Sequence, residues 1–239
     1  MLGGVMSIWY AHRHISSLHF RESPKCERLP LHLADPGHID AAVGRSTRYL
    51  FVRRMFDIAF VLASAPASVL LVGVAAAAVL VTMGRPVFLA QERVGYRGRT
   101  FRALKLRSMR TSDGAPRPTS LDDDRITPLG AFLRQSHLDE LPQLWNVLVG
   151  QMSLIGPRPE WVPLARRYEC AFPEYKLRYC APPGLTGLAQ VKQGYVSTIE
   201  EVKAKVEYDI YYILNISVAM DFKILLLTSK TIFNSALSR

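Results

Sequence analysis

From Ile58 to Met83 the chain carries 26 consecutive uncharged residues, with Asp57 before them and Gly84-Arg85 after. A helix needs about 20 apolar residues to cross a hydrocarbon core, so the run is long enough to enter a membrane. It begins too far from the N-terminus, and is too long, for a cleavable signal peptide. One spanning helix is the plain reading, but two features argue for another path. Pro66 sits about a third of the way along, where it removes a helix hydrogen bond and crowds the preceding turn. Ser64 is placed to take up a freed backbone group. The flanks are also basic on both sides, with Arg45, Arg48, Arg53 and Arg54 before the run and Arg85, Arg93, Arg97 and Arg99 after it. Basic flanks stay on the cytoplasmic side, so both ends are expected there. The expectation is a re-entrant helix hairpin that bends at Ser64 and Pro66 and returns.

The remainder has the composition of a folded protein. Of 239 residues, 49% are hydrophobic and 21% charged, which excludes a disordered or collagen-like chain. The net charge of +10 points to anionic partners: nucleic acid, a phospholipid surface or a phosphorylated substrate. The apolar run favours membrane phospholipids and gives no support to nucleic acid. Cys26, Cys170 and Cys180 are too few and too odd in number for a disulfide framework, and none lies in a C-x-x-C pair. A reducing compartment is expected, without a structural zinc site.

Three regions follow. Residues 1–50 hold five of the six histidines and no lasting periodicity, and are expected to be a poorly ordered extension. Residues 51–84 form the membrane element and 85–239 a compact domain. In that domain Pro86–Val94 and Thr100–Met109 read as strands around the turn Gly95–Gly98, and Thr111–Asp124 as a loop. Helical patterns run over Pro128–Gln135, Leu138–Val149 and Glu160–Tyr179. Gly184-Leu-Thr-Gly187 reads as turn geometry. In Thr198–Leu214, Ile199, Val202, Val206, Ile210 and Ile213 share one helical face. Ser217–Ser235 is apolar but carries Asp221, Lys223 and Lys230, which suits a helix lying in the membrane interface. The fold class is mainly α with a small β-hairpin (α+β).

The densest group of reactive side chains is Arg134-Gln-Ser-His-Leu-Asp139-Glu140. Ser136-x-x-Asp139 has the form of a capping box, the plainer reading of that acidic pair. The chemical reading makes one carboxylate a nucleophile or metal ligand, supported by its neighbour. Cations accompany the pair: Lys105 and Arg107, on one strand face and followed by Ser108, then Arg134, then Arg158 between two prolines. Carboxylates beside several cations suggest Mg²⁺ and a diphosphate, because that ion prefers hard oxygen ligands. Asp122-Asp123-Asp124 fits the D-x-D pattern of nucleotide-sugar glycosyltransferases, but this is a weak signal in a loop and an acidic solvated turn is the plainer reading. Neither a Rossmann nor a P-loop glycine pattern occurs.

Seven motifs stand in register from residue 54 to about 225: Arg54-Met-Phe-Asp57, Gly84-Arg-Pro-Val-Phe88, Gln91-Glu-Arg-Val-Gly95, Lys105-Leu-Arg-Ser-Met109, Leu138-Asp-Glu-Leu-Pro-Gln-Leu144, Met152-Ser-Leu-Ile-Gly-Pro-Arg-Pro-Glu160 and Pro183-Gly-Leu-Thr-Gly-Leu-Ala-Gln190. In these the chain resembles the bacterial sugar transferases, the monotopic phosphoglycosyl transferases. The resemblance implies a catalytic dyad, Asp139 and Glu140, which would also hold Mg²⁺. The aspartate would attack a UDP-sugar, release UMP and pass the phosphosugar to polyprenyl (undecaprenyl) phosphate. This opens exopolysaccharide, capsule, O-antigen or glycoconjugate synthesis on the cytoplasmic face of the bacterial inner membrane. Lys105, Arg107, Ser108, Arg134 and Arg158 would bind phosphate or substrate, Arg134 in particular a lipid phosphate. A homodimer is left open. Departures are Leu106 and His137, where relatives often carry Phe and Ser, and Ala65 between Ser64 and Pro66. Two other functions compete: a direct glycosyltransferase releasing UDP, and a non-enzymatic basic membrane adaptor.

Overall fold

A computed structural model describes residues 47–110, 123–193 and 198–237. Residues 1–46 of the expected extension 1–50 and most of the expected loop 111–124 lie outside the described residues, while 47–50 are helical and not a poorly ordered extension. The apolar run forms helix α1, Thr47–Met83, which continues through Pro66 without interruption. The expected bend is therefore not a break in the helix. Proline costs α1 the bond that would reach the Leu62 carbonyl. The Ser64 hydroxyl donates to the carbonyls of Phe60 (2.8 Å) and Val61 (3.3 Å) instead of to that freed group.

Both ends of α1 are held by the same folded domain. Near its start, Arg54 donates to the carbonyls of Val147 and Leu148, and Asp57 accepts from the Ser153 hydroxyl (2.8 Å) and the Leu154 N–H (3.3 Å). Near its end, Ala75 and Val79 pack with Leu106 and Leu133. Between these anchors Leu62, Val69, Leu70 and Val74 are exposed. By length and composition α1 is able to cross a membrane.

Strands β1 (Phe88–Val94) and β2 (Thr100–Leu106) pair antiparallel, as the alternation predicts. The register sets Leu89 opposite Lys105, Gln91 opposite Ala103 and Arg93 opposite Phe101. Directly paired residues share a face, so Gln91, Arg93 and Lys105 emerge on the same side of the hairpin.

Helix α2 (Pro128–Gln135) matches its expected bounds. Thr127 caps it by accepting from the Gly130 N–H (2.9 Å), and Pro128 occupies the first turn, where no N–H is needed. Gly130 packs on the main chain where β2 ends. A β-carbon at Gly130 would lie 1.8 Å from the Ser108 carbonyl oxygen, an approach that backbone must move to relieve. Gly130→Ala should therefore cost about 3 kcal/mol or more, read as a lowered denaturation midpoint.

Two expected helices are shorter than the pattern suggested. Residues 138–149 divide into a 3₁₀ turn, Leu138–Glu140, and helix α3, Gln143–Leu148, with Pro142 between them. Residues 160–179 divide into α4, Val162–Ala171, and a 3₁₀ segment, Pro173–Cys180. Pro173 explains the second division, because the residue before a proline is driven to extended backbone and Phe172 is extended. Gly184–Thr186 is a strand, β4, not a turn, and pairs parallel with β3, Ser153–Ile155. Three-residue strands leave too little alternation for a sequence to show them.

Helices α5 (Leu188–Gln193), α6 (Ile199–Leu214) and α7 (Val218–Leu237) close the core. Val202, Val206, Ile210 and Ile213 are buried as expected, and Ile199 is half-buried. A capping box between Thr198 and Glu201 starts α6. Asp221 and Ile224 fix the inner side of α7, while Val218, Phe222 and Leu226, four residues apart, are exposed along its outer side. Asp221 accepts from the hydroxyls of Tyr49 (2.7 Å) and Tyr212 (2.8 Å), and Arg53 donates to the Tyr212 hydroxyl (2.6 Å). This buried network binds the first turns of α1 and α7 together. Among the described residues the architecture is mainly helical with two small sheets and one long apolar helix.

Candidate active site

The 3₁₀ turn bearing Asp139 and Glu140 is entered through His137, held in the left-handed region at φ 56°. That residue reverses the chain between α2 and the acidic pair. Ser136 belongs to the end of α2, its hydroxyl donating to the carbonyls of Phe132 (2.7 Å) and Leu133 (3.2 Å). The capping box suggested by Ser136-x-x-Asp139 therefore does not form, and Asp139 is not a helix cap.

The two neighbouring carboxylates have different surroundings. Glu140 is half-buried, and both of its oxygens accept from the Arg158 guanidinium, Oε2 from Nη1 at 3.1 Å and Oε1 from Nη2. Asp139 is buried at 8% exposure. Burial, then the charge of Glu140, pushes the Asp139 carboxyl up to about 6, against the pull of Arg134, Lys105 and Arg158. Burial would also raise Glu140, but the charge and hydrogen bonds of Arg158, aided by Arg93 and His137, carry it down to about 2. Burial and the neighbouring Arg93 lower the Lys105 ammonium. Two titratable groups driven apart in this way can take separate roles in one reaction.

Three elements therefore converge on the acidic turn: β2 through Lys105, α2 through Arg134, and the segment after β3 through Arg158. Nη1 of Arg134 is buried without a hydrogen-bond partner. A buried cationic donor left unpaired is costly, and an anionic oxygen would satisfy it. The site can therefore bring a carboxylate nucleophile and a phosphate group together.

Arg107 is placed differently from the sequence expectation. Its guanidinium donates to the carbonyls of Met109 (3.0 Å), Met83 (3.1 Å) and Arg85 (3.0 Å), tying the end of α1 to the strand that carries Lys105. Ser108 is buried beside Gly130, where its carbonyl receives the close approach of α2. Arg93, which the sequence reading did not select, joins the cations of the site; burial and Arg158 bring its guanidinium down to about 10. The period-2 alternation from Lys105 across the hairpin was the signal that would have found it.

Among the described residues no group of three or more His, Cys, Asp or Glu is arranged to hold a metal. With Glu140 engaged by Arg158, the donor set fits a hard cation that brings further oxygens with a diphosphate, Asp139 supplying the protein carboxylate. Of the D-x-D candidates, Asp122 lies outside the described residues. The central Asp123 is paired with Arg125 through Nε (2.8 Å) and Nη2 (2.6 Å).

A family model described as bacterial sugar transferase matches residues 48–235. A UDP-N-acetylgalactosamine-undecaprenyl-phosphate N-acetylgalactosaminephosphotransferase of Aeromonas hydrophila is 40% identical over 187 residues, 77% of this chain and 44% of that protein. A UDP-glucose:undecaprenyl-phosphate glucose-1-phosphate transferase of Klebsiella pneumoniae is 41% identical over 159 residues, 65% of this chain and 34% of that protein. A protein of the same description from Caulobacter vibrioides is 43% identical over 158 residues, 64% of this chain and 59% of that protein. The chain thus spans less than two thirds of the length of these three relatives.

Proposed function

The chain belongs to the bacterial sugar transferase family, and we propose that it is a phosphoglycosyl transferase moving a phosphosugar from a UDP-sugar to polyprenyl phosphate through an aspartyl-phosphosugar on Asp139. The observation that carries this reading is the unequal acidic pair. Glu140 is locked in an Arg158 fork, while Asp139 lies among cations with its carboxyl near neutrality. The names of the relatives supply the substrate class, a UDP-sugar and undecaprenyl phosphate.

In the first step an Asp139 oxygen attacks the β-phosphorus of the UDP-sugar. The bond from that phosphorus to the bridging oxygen breaks, and the oxygen leaves with UMP. In the second step an oxygen of polyprenyl phosphate attacks the same phosphorus and releases the Asp139 carboxylate. Lys105 and Arg158 offset the diphosphate charge that would otherwise repel the nucleophile. The orphaned nitrogen of Arg134 donates to a phosphate oxygen, that of the lipid in the second step. Arg107 contributes by fixing the strand that carries Lys105 to the end of α1. Asp139, with Glu140 beside it in the Arg158 fork, would hold magnesium, which would supply Lewis-acid withdrawal of charge from the phosphate oxygens.

Polyprenyl phosphate keeps its headgroup at the membrane surface, so the domain must work there. The attachment of both ends of α1 to one domain, the basic flanks and the exposed apolar side of α7 support a helix that enters and returns on the cytoplasmic face. Tags at residues 1 and 239 should then share one side of sealed vesicles. Tags on opposite sides would mean that α1 spans.

The direct test incubates purified protein with polyprenyl phosphate, Mg²⁺ and a panel of UDP-sugars and scores the nucleotide released. UMP supports phosphosugar transfer; UDP would establish transfer of the sugar alone. The pH profile is a second test. Asp139 must be ionised to attack, and its carboxyl stands at about 6, so kcat/KM should rise through about pH 6 and then level. A profile flat from about pH 5 to 8 would contradict the nucleophile assignment.

A further inference from the structure

Arg158 lies in a strap, residues 156–160, between Pro157 and Pro159, neither of which has an N–H. With two donors missing, the strap is held by its carbonyls, and four in succession are engaged. The Pro157 carbonyl accepts from the Gly184 N–H (3.0 Å), Arg158 from Arg178 Nη2 (2.8 Å), Pro159 from Arg93 Nη1 (3.0 Å) and Glu160 from the Val94 N–H (3.0 Å). Two of these donors are side chains. Arg178 is set in the core, paired with Asp209 at 2.7 Å and donating to the Tyr175 hydroxyl at 2.6 Å. Arg93 stands on the same face of the hairpin as Lys105, aimed by Gln91, whose Oε1 accepts from its Nη2 (3.1 Å) and Nε (3.4 Å).

The consequence lies in the choice between two adjacent carboxylates. Arg158 offers one fork, and Asp139 and Glu140 are successive residues. Whichever carboxylate takes the fork is neutralised and oriented, and the other is left to react. We propose that Arg93 is a positioning residue for this phosphoryl transfer: by holding the Pro159 carbonyl it keeps the Arg158 fork on Glu140 and leaves Asp139 as the unpaired carboxylate. This rests on the assignment of Asp139 as nucleophile made above. Released from Arg93, the strap turns, Arg158 divides its contacts between the two acids, and Asp139 loses reactivity without loss of the substrate pocket.

Arg93→Lys keeps the charge but cannot bridge Gln91 and Pro159 together. Gln91→Leu leaves the arginine and removes its aim. Both should lower kcat for UMP release, Arg93→Lys by about tenfold or more, with KM for the UDP-sugar within about threefold. Without polyprenyl phosphate, a burst of UMP counts active sites. The Arg93→Lys burst should keep its amplitude and lose about tenfold in rate. A smaller burst at the wild-type rate would make Arg93 a residue of the fold alone, and an unchanged burst would also overturn the proposal.

If the wild-type chain itself releases no UMP, the nucleophile assignment fails separately, and thermal melting still decides the role of Arg93. The drop in melting temperature from Arg93→Lys should be less than half as large in a Glu140→Gln background, where the fork has lost its ionised partner. Equal drops in both backgrounds would show that Arg93 does not act through that pair.

Discussion

Asp139→Asn should abolish turnover, by at least about 10⁴-fold in UMP release, and at the same time make the protein more stable. On the proposed mechanism the loss follows from removing the oxygen that attacks phosphorus, so UDP-sugar binding should survive. The gain follows from linkage. Asp139 is buried and its carboxyl stands at about 6, above the 3.8 of an exposed aspartate. Between those pH values the folded state holds a proton that the unfolded chain releases, so this residue makes stability fall as pH rises. Above pH 6 the full cost is in place, about 3 kcal/mol. An asparagine of the same shape escapes it, and the variant should melt several degrees higher at pH 7 with little difference at pH 4. Activity assays and thermal melts on the same preparation check both halves. A fully active variant would remove the nucleophile, and an unchanged melting temperature would mean that the buried charge imposes no strain.

Arg158→Met should be damaging in both respects. It strips the fork from Glu140 and leaves a half-buried carboxylate without its partner, which should cost about 2–4 kcal/mol at neutral pH. Turnover should drop by at least about 10²-fold, because on the proposed mechanism the cation paired with the acidic turn also balances the developing phosphate charge. The pH dependence carries a sign that separates this from general damage. In the wild type Glu140 stands at about 2, below the 4.5 of an exposed glutamate. Its contribution to stability is present above pH 4.5 and is lost as pH falls toward 2. In Arg158→Met the carboxyl rises, and acid should relieve the variant instead of weakening it. Melting temperatures from about pH 3 to 7 test this: parallel curves for wild type and variant would refute the pairing account.

Much of the site was legible in the order of residues. Asp139, Glu140, Lys105, Arg134 and Arg158 were each singled out as charged groups near a helix end, a strand end or a proline pair, and the structure brings them to one place. Arg107 shows where such reading fails. It shares a strand face with Lys105 by alternation, yet β2 ends at Leu106, and past that point the backbone no longer keeps the period. Its guanidinium turns to the carbonyls at the end of α1. Ser136 fails for a related reason. Its spacing to Asp139 fits a capping box, but His137 in the left-handed region reverses the chain between them.

What the linear order settled was whatever depends on neighbours a few residues apart: a run long enough for a membrane, the β1–β2 alternation, the buried stripe of α6 and the chemical kinds gathered at the acidic turn. What waited on the folded chain was the allocation of partners across long separations. Arg158 reaches Glu140 across 18 residues, Asp57 meets Ser153 across 96, and Arg93 reaches the Pro159 carbonyl across 66. A guanidinium has the same donors wherever it stands in a sequence. Only when water is excluded and the competing acceptors are set at fixed distances does it acquire one partner and leave another carboxylate free to react.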